Sequence, residues 1–419
     1  MKRSRSRSRN RFGARTGVLV AAGVILAAVA FVQVFGGALA GARVGNAPSG
    51  AVEGLRGGKL PPALRSSTGR AYVVATNGSD RNPGTTQRPL RTIQEGLDRL
   101  SPGQRVLVRR GRYTENLDLT RSGKASAPIT LRNYQGERPV LQPSGGARCN
   151  NVLELSDVAY VRVHGLTIQG AYGCDNNTNV YVAGNSRHVE ISGNEIRHGH
   201  DHGLFADPGT LDVQVIGNRI HDNGTVGSGN KDHALYMEGT KHLVANNVIY
   251  DHPYGHAVQI YPSARGTIIT HNTIVNTSYT SGYRAAGVIV GGDGQGKTAD
   301  DILIVNNVVA WNDYGLYGYY ESGESGPVGS ENVARRNLIF ANRYGNLVND
   351  RAVIAFGDNI IGRDPRFLNR VAKNFRLRPG SAAVDRARPE YAMGVDYAGR
   401  VRRGKPDLGA FELAKSGRR

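Results

Sequence analysis

Apolar and polar residues alternate in short runs along the middle of the chain, and the runs keep returning to one ending. The lines ISGNEI at Ile191, VIGNRI at Val215, VANNVI at Val244, ITHNTI at Ile269, IVNNVV at Ile304 and ARRNLI at Ala334 each place an asparagine two residues before an apolar one. These are Asn194, Asn218, Asn247, Asn272, Asn307 and Asn337, at spacings of 24, 29, 25, 35 and 30 residues. Five of the lines are preceded by a second alternating run: GLFAD at Gly203, HALYMEG at His233, HAVQIYP at His256, AGVIVGG at Ala286 and YGLYGYY at Tyr314. Two short strands per unit, with Gly, Asn or Asp between them, predict a coil that cannot bury its apolar face alone and stacks on copies of itself.

That pattern predicts an all-β parallel β-helix. A leucine-rich repeat needs a stricter leucine frame, and a propeller needs four strands in each unit. Stacked coils set the six asparagines above one another at about 4.8 Å, where their amides bond up and down as a ladder. If Leu204, Leu235 and Val258 face the core, alternation sends Phe205, Asp207, Tyr236, Glu238, Gln259 and Tyr261 outward, with Tyr317 and Tyr319 two coils on. His202, His233 and His256 then turn inward.

The flanks read differently. Residues 1–15 carry seven Lys or Arg and no acid, and no charged residue follows between Arg15 and Arg43. Residues 16–40 are thus expected to be a signal peptide, ending in the small-x-small sequence Ala38-Leu39-Ala40, or an uncleaved membrane anchor. Both place the basic flank in the cytoplasm and the repeat outside, secreted or tethered to the outer side of the membrane. Residues 41–70, rich in Gly, Pro, Ala and Ser, read as a linker, 71–413 as the β-helix and 414–419 as a basic tail. A short amphipathic helix opening at Thr92-Ile93-Gln94-Glu95, with Ile93, Leu97 and Leu100 on one face, would cap the solenoid.

Charge adds a partner class. The net charge is +19, and setting aside the seven positive charges of the first fifteen residues leaves +12 on the exported part. That balance favours acidic partners, whether a uronate or sulfated polysaccharide, teichoic acid or an anionic envelope surface, with an acidic polysaccharide the expected one, while the basic start beside an apolar segment reads as topogenic and not as a nucleic-acid arm. The molecule is expected to work as a monomer. Cys149 and Cys174 lie 25 residues apart, about one coil, and are expected to form a disulfide in an exported protein.

Both ends carry a more specific likeness. YVVATNGSDRNPGT, PLRTIQEGLDRLSPGQRVLVRRGRYTE and APITLRNYQGERPVL near the start, with DPRF, FRLRPGSAAVD and PDLGAFE near the close, resemble exported right-handed parallel β-helix proteins of the pectate-lyase-like superfamily. The resemblance implies the right-handed form of the solenoid. It leaves activity open among lyases, hydrolases, epimerases, tailspikes and non-catalytic surface proteins.

All eleven histidines fall between His164 and His271, which points to the central coils. β-Elimination on a uronate needs a carboxylate partner, a base for the C5 proton and an acid at the leaving oxygen. The candidates are Arg284 as partner, His233 or Lys231 as base and Tyr236 or Tyr261 as acid, with His202, His256, Gln259, Tyr317 and Tyr319 binding sugar. The Asp-Pro-His-Asp signature of the superfamily's uronate epimerases is missing, Asp232-His233 being only a fragment of it. Asp207 and Glu238, about 5 Å apart on adjacent coils, would also suit a retaining glycosidase. With Asp201 and Asp232 they would alternatively hold Ca2+, which lyases resembling this chain often use. A third reading has no chemistry: stacked like residues are what a solenoid produces, and the face binds polysaccharide or serves as structure.

Overall fold

A computed structural model describes residues 67–144, 151–170, 178–224, 232–278, 284–320 and 325–414. The expected amino-terminal segments up to residue 66, Cys149, Cys174, Lys231 and most of the basic tail lie outside the described residues. No helix among the described residues is long and apolar enough to cross a membrane.

The chain winds as a solenoid with three parallel ladders, sheets 1 and 2 bridged into one 21-stranded sheet and sheet 3 a separate one of 10 strands, and it carries an antiparallel hairpin of Phe367–Asn369 with Asn374–Leu377 near its end. Sheet 1 climbs from Ala71–Val74 through Arg187–Ser192 to Ala355–Phe356, and sheet 3 from Gly111–Tyr113 through Glu195–Arg197 to Ile360–Ile361. Sheet 2 climbs from Leu117–Leu119 through Leu235–Thr240 to Gly345–Asn349. Each coil passes sheet 1, a tight turn, sheet 3, a loop and sheet 2. The stacked core column Ile191, Val215, Val244, Ile269, Ile304 and Ala334 runs in unbroken register, each residue at most 1% exposed. Full burial of such side chains stabilises by roughly 1.5–3 kcal/mol each, and only stacking achieves it.

The repeated asparagine sits at the turn from sheet 1 to sheet 3. Asn218 Nδ2 donates to Asn247 Oδ1 at 3.1 Å, Asn247 Nδ2 to Asn272 Oδ1 at 2.9 Å, and Asn272 Nδ2 to Asn307 Oδ1 at 3.0 Å. Asn194 and Asn337 continue the file, and Asn359 adds a rung that its looser sequence context hid. The residue before each rung from Asn194 to Asn337 is left-handed, with φ from 54° at His271 and Arg336 to 63° at Asn306. Gly193 and Gly217 adopt that conformation without a Cβ penalty, whereas Asn246, His271, Asn306 and Arg336 are held there by the stack.

Both ends are covered. The expected helix forms over Ile93–Asp98 and buries Ile93 and Leu97 against the first coils. Its capping box is half made: Thr92 Oγ1 accepts from Glu95 N–H, but Glu95 pairs with Arg99, and Asp80 takes the Thr92 N–H instead. Folded structure starts before residue 71, since Ser67 is buried and hydrogen-bonded to Pro128 and Thr130. Residues from Phe367 to Leu413 run back over the sheet 1–sheet 3 turns. Asn246 Nδ2 donates to Val395 O, Thr270 Oγ1 to Tyr391 O, Asn306 Nδ2 to Arg388 O, and Arg335 reaches the Tyr391 hydroxyl. Arg402, buried, holds Asn246 Oδ1 and Gly409 O, and it pairs with Glu412.

Candidate functional site

Sheet 2 carries the residues singled out by alternation. Its register sets Tyr181, Phe205, Tyr236, Gln259, Ile289 and Tyr317 in one outward column. Leu204, Leu235 and Val258 are fully buried in the column beside it. The rings of Tyr181 and Phe205 stack at 5.3 Å and those of Phe205 and Tyr236 at 4.7 Å, nearly parallel. Rings stacked along the solenoid axis cover each other's faces and present their edges outward. This part of the column therefore offers the Tyr236 hydroxyl to a ligand more than a flat platform.

The three histidines form a stack of their own. Ring centroids lie 5.3 Å apart for His202 and His233, and 5.2 Å for His233 and His256. Each Nδ1 accepts a backbone N–H from the next coil: His202 from His233, His233 from His256 and His256 from Ala286, at 2.9–3.0 Å. His233 is 2% exposed, so its imidazole does not reach a substrate on the surface. That geometry corrects the expectation of a His233 base and of a sugar contact from His256, which is also buried, whereas His202 is only half-buried. His202 and His233 both meet the Tyr236 ring edge-on at 5.5 Å.

Burial holds these rings neutral. Desolvation lowers His202, His242 and His252 to about 4 and His256 to about 3, and it pushes His233 well down. The unfolded chain takes up protons near pH 6.5 that the folded chain refuses. This contribution to stability is therefore complete above about pH 6.5 and is lost as the pH falls toward 4, at roughly 1.4 kcal/mol per histidine per unit. We expect the thermal midpoint to drop steeply between pH 6.5 and 4.5, with uptake of two or more protons on unfolding. A midpoint that stays level across that window would refute the assignment.

Beside Tyr236 lies Glu238, 7% exposed. Burial, reinforced by the charge of Asp207, raises its carboxyl to about 7 against the opposing Ser263 N–H and Lys297. Tyr236, hydrogen-bonded to Gln259, is pushed well above the usual phenol range by burial and by Glu238. Asp207 has turned aside: one oxygen accepts from the Tyr181 hydroxyl at 2.8 Å and the other from Gly184 N–H at 3.0 Å. Asp201 is raised to about 6 by burial and by Asp232, which is itself 1% exposed. Asp201, Asp207, Asp232 and Glu238 are not gathered into one cluster here, as no group of three or more such ligands converges among the described residues.

Further along the axis, Tyr317 donates to Asp350 at 2.8 Å, and Tyr261 lies 6.1 Å from Tyr319. Arg284 donates to the Tyr314 hydroxyl at 2.6 Å and covers the Tyr344 ring at 4.2 Å. Tyr314 shares a strand with Tyr317, three coils from Tyr236 and so roughly 14 Å away at about 4.8 Å per coil. Arg284 thus does not join Tyr236 and Glu238. Lys297 does bear on Glu238, and sequence reasoning missed it because it stands in a loop outside the repeated lines.

Residues 72–349 match the family model described as the Pel9A-like, right-handed beta helix region. The chain belongs to the Pel9A-like β-helix family. This Pel9A-like chain is 29% identical to the uncharacterized protein YwoF of Bacillus subtilis, an alignment covering 61% of the chain and 72% of the relative. The crystal structure of pectate lyase Pel9A superposes with a TM-score of 0.51 at 15% identity, covering 83% of this chain and 97% of that one. An alginate lyase from a Paenibacillus strain superposes with a TM-score of 0.54 at 17% identity, covering 70% and 95%. At such identities the likeness carries the fold and assigns no residue its role.

Proposed function

We propose that the sheet 2 face binds an acidic polysaccharide laid along the solenoid axis and cleaves it by β-elimination. Glu238 removes the C5 proton, the C4–O4 bond breaks as the C4=C5 double bond forms, and the Tyr236 hydroxyl protonates the departing oxygen. One observation carries the reading: a recessed carboxyl with a pKa of about 7 sits two residues from a tyrosine whose hydroxyl stays protonated, on one outward face. Two groups driven apart in proton affinity make a base and an acid. Lys297 offsets the uronate carboxylate at the reacting sugar, and Arg284 meets a carboxylate farther along the polymer. Solved relatives named for pectate and alginate support a polysaccharide, and the net charge of +12 that remains beyond the first fifteen residues (19 − 7) supports an acidic one.

The test is incubation with polygalacturonate, alginate and a neutral glucan. Elimination gives an ultraviolet-absorbing unsaturated end from a uronate polymer. Reducing ends without absorbance would instead make Glu238 a glycosidase acid, and a gel shift without products would make the face a binding surface. Either result overturns elimination. Because the base acts deprotonated, the rate should rise through neutrality, with about a tenth of Glu238 active at pH 6 and about nine-tenths at pH 8. A rate that falls over that interval would remove Glu238 from the role of base.

A further inference from the structure

The outer face of sheet 1 near the amino end holds a cleft of about 420 Å³ that belongs to a different side of the solenoid from Glu238. Its floor comes from two register columns. One runs Arg105, Thr130, Arg162, Glu190 and the other Leu107, Arg132, His164, Ser192. Three guanidinium groups and one carboxylate line it, a net of +2 with His164 neutral.

The charges are unevenly matched. Arg162 pairs with Glu190 at 2.8 Å, and Arg105 donates to Ser67 O at 2.5 Å. Arg132, half-buried between them, has no hydrogen bond or ion pair among the described residues, and the group it acts on is His164. Ser192 donates to Glu190 at 2.7 Å and meets His164 Nδ1 at 3.1 Å, which leaves the far imidazole nitrogen toward the cleft. Asn133 adds a buried side-chain oxygen with no hydrogen-bond partner, although its amide nitrogen is held by Glu137 O at 2.8 Å. Guanidinium groups match a carboxylate, and an idle buried acceptor matches a hydroxyl. A bare anion would satisfy the first and leave the second unmet.

We propose that this cleft is a second carbohydrate site, which takes one uronate-type sugar with its carboxylate on Arg132 and Arg105 and a hydroxyl on Asn133 Oδ1. A solenoid that grips acidic polymer on a second face stays attached while sheet 2 works, and the site stands whether or not sheet 2 is catalytic. The surroundings of His164 support it: burial, Arg132 and Arg162 together outweigh Glu190 and the Ser192 contact, holding the ring below its ordinary pKa. A bound carboxylate reverses part of that.

The experiment follows the His164 ring proton resonance in the full chain, assigned with His164→Gln, as D-glucuronate, D-glucose or inorganic phosphate is added. Glucuronate should shift the resonance and raise the pH at which it titrates, and glucose should do neither. Arg132→Gln, which removes no hydrogen bond among the described residues, should weaken glucuronate binding at least tenfold while the thermal midpoint and kcat on a uronate oligomer too short to reach both faces stay unchanged. No response to glucuronate, or equal binding by the variant, would overturn the site. Phosphate binding as tightly as glucuronate would overturn its assignment to a sugar. Loss of that kcat in Arg132→Gln would place the cleft in the catalytic path and overturn its independence.

Discussion

Glu238→Gln is expected to lower kcat on a uronate polymer by on the order of 10²–10⁴-fold, with KM changed by less than about threefold. Glutamine keeps the shape and the oxygen that accepts the Ser263 N–H, but it cannot take a proton at neutral pH. Tyr236→Phe should reduce kcat comparably, since it leaves the ring stacked on Phe205 and removes only the hydroxyl. The measurement is steady-state appearance of unsaturated ends, with circular dichroism to confirm the fold. If Glu238→Gln turns over within a factor of about three of the parent, proton transfer lies elsewhere.

Asn247→Ala should cost on the order of 3–5 kcal/mol of stability, enough to move the thermal midpoint by several degrees. Asn247 Oδ1 accepts both the backbone and side-chain N–H groups of Asn218, while its Nδ2 donates to Val215 O at 2.8 Å and to Asn272 Oδ1. Alanine orphans these groups in a site that is fully buried, where water cannot replace the lost partners. Asn359→Ala, at the more open end of the same file, should cost distinctly less. Differential scanning calorimetry of the two variants decides the matter, and equal midpoints would mean that the interior rungs carry no special weight.

The solenoid was legible because its strands obey period-2 alternation and its turn demands one residue type at one place. Val215 and Asn218 could be assigned without knowing what lay above them, since every coil poses the same local problem. The site was legible only in part, because alternation says which side a residue faces and nothing about what its atoms meet. It placed Tyr236 and Glu238 outward and His233 inward. Asp207 turns to Tyr181, and Arg284 settles on Tyr314 and Tyr344, through contacts between coils that alternation does not encode. Lys297 and the Arg105–Arg132–Arg162 cleft escaped for another reason. The lysine is in a loop of irregular length, and the arginines lie in early coils where the asparagine pattern has not begun.

The carboxyl-terminal run across the turns changes what kind of object the solenoid is. A bare stack opens one coil at a time from whichever end is loose, because each coil knows only its neighbours. Here one strap is bonded to the coils of Asn246, Thr270, Asn306 and Arg335 together. Tension entering at the carboxyl end is shared among those rungs in shear, so the part of the rod that carries Tyr236 and Glu238 should resist peeling while a polymer is drawn along it.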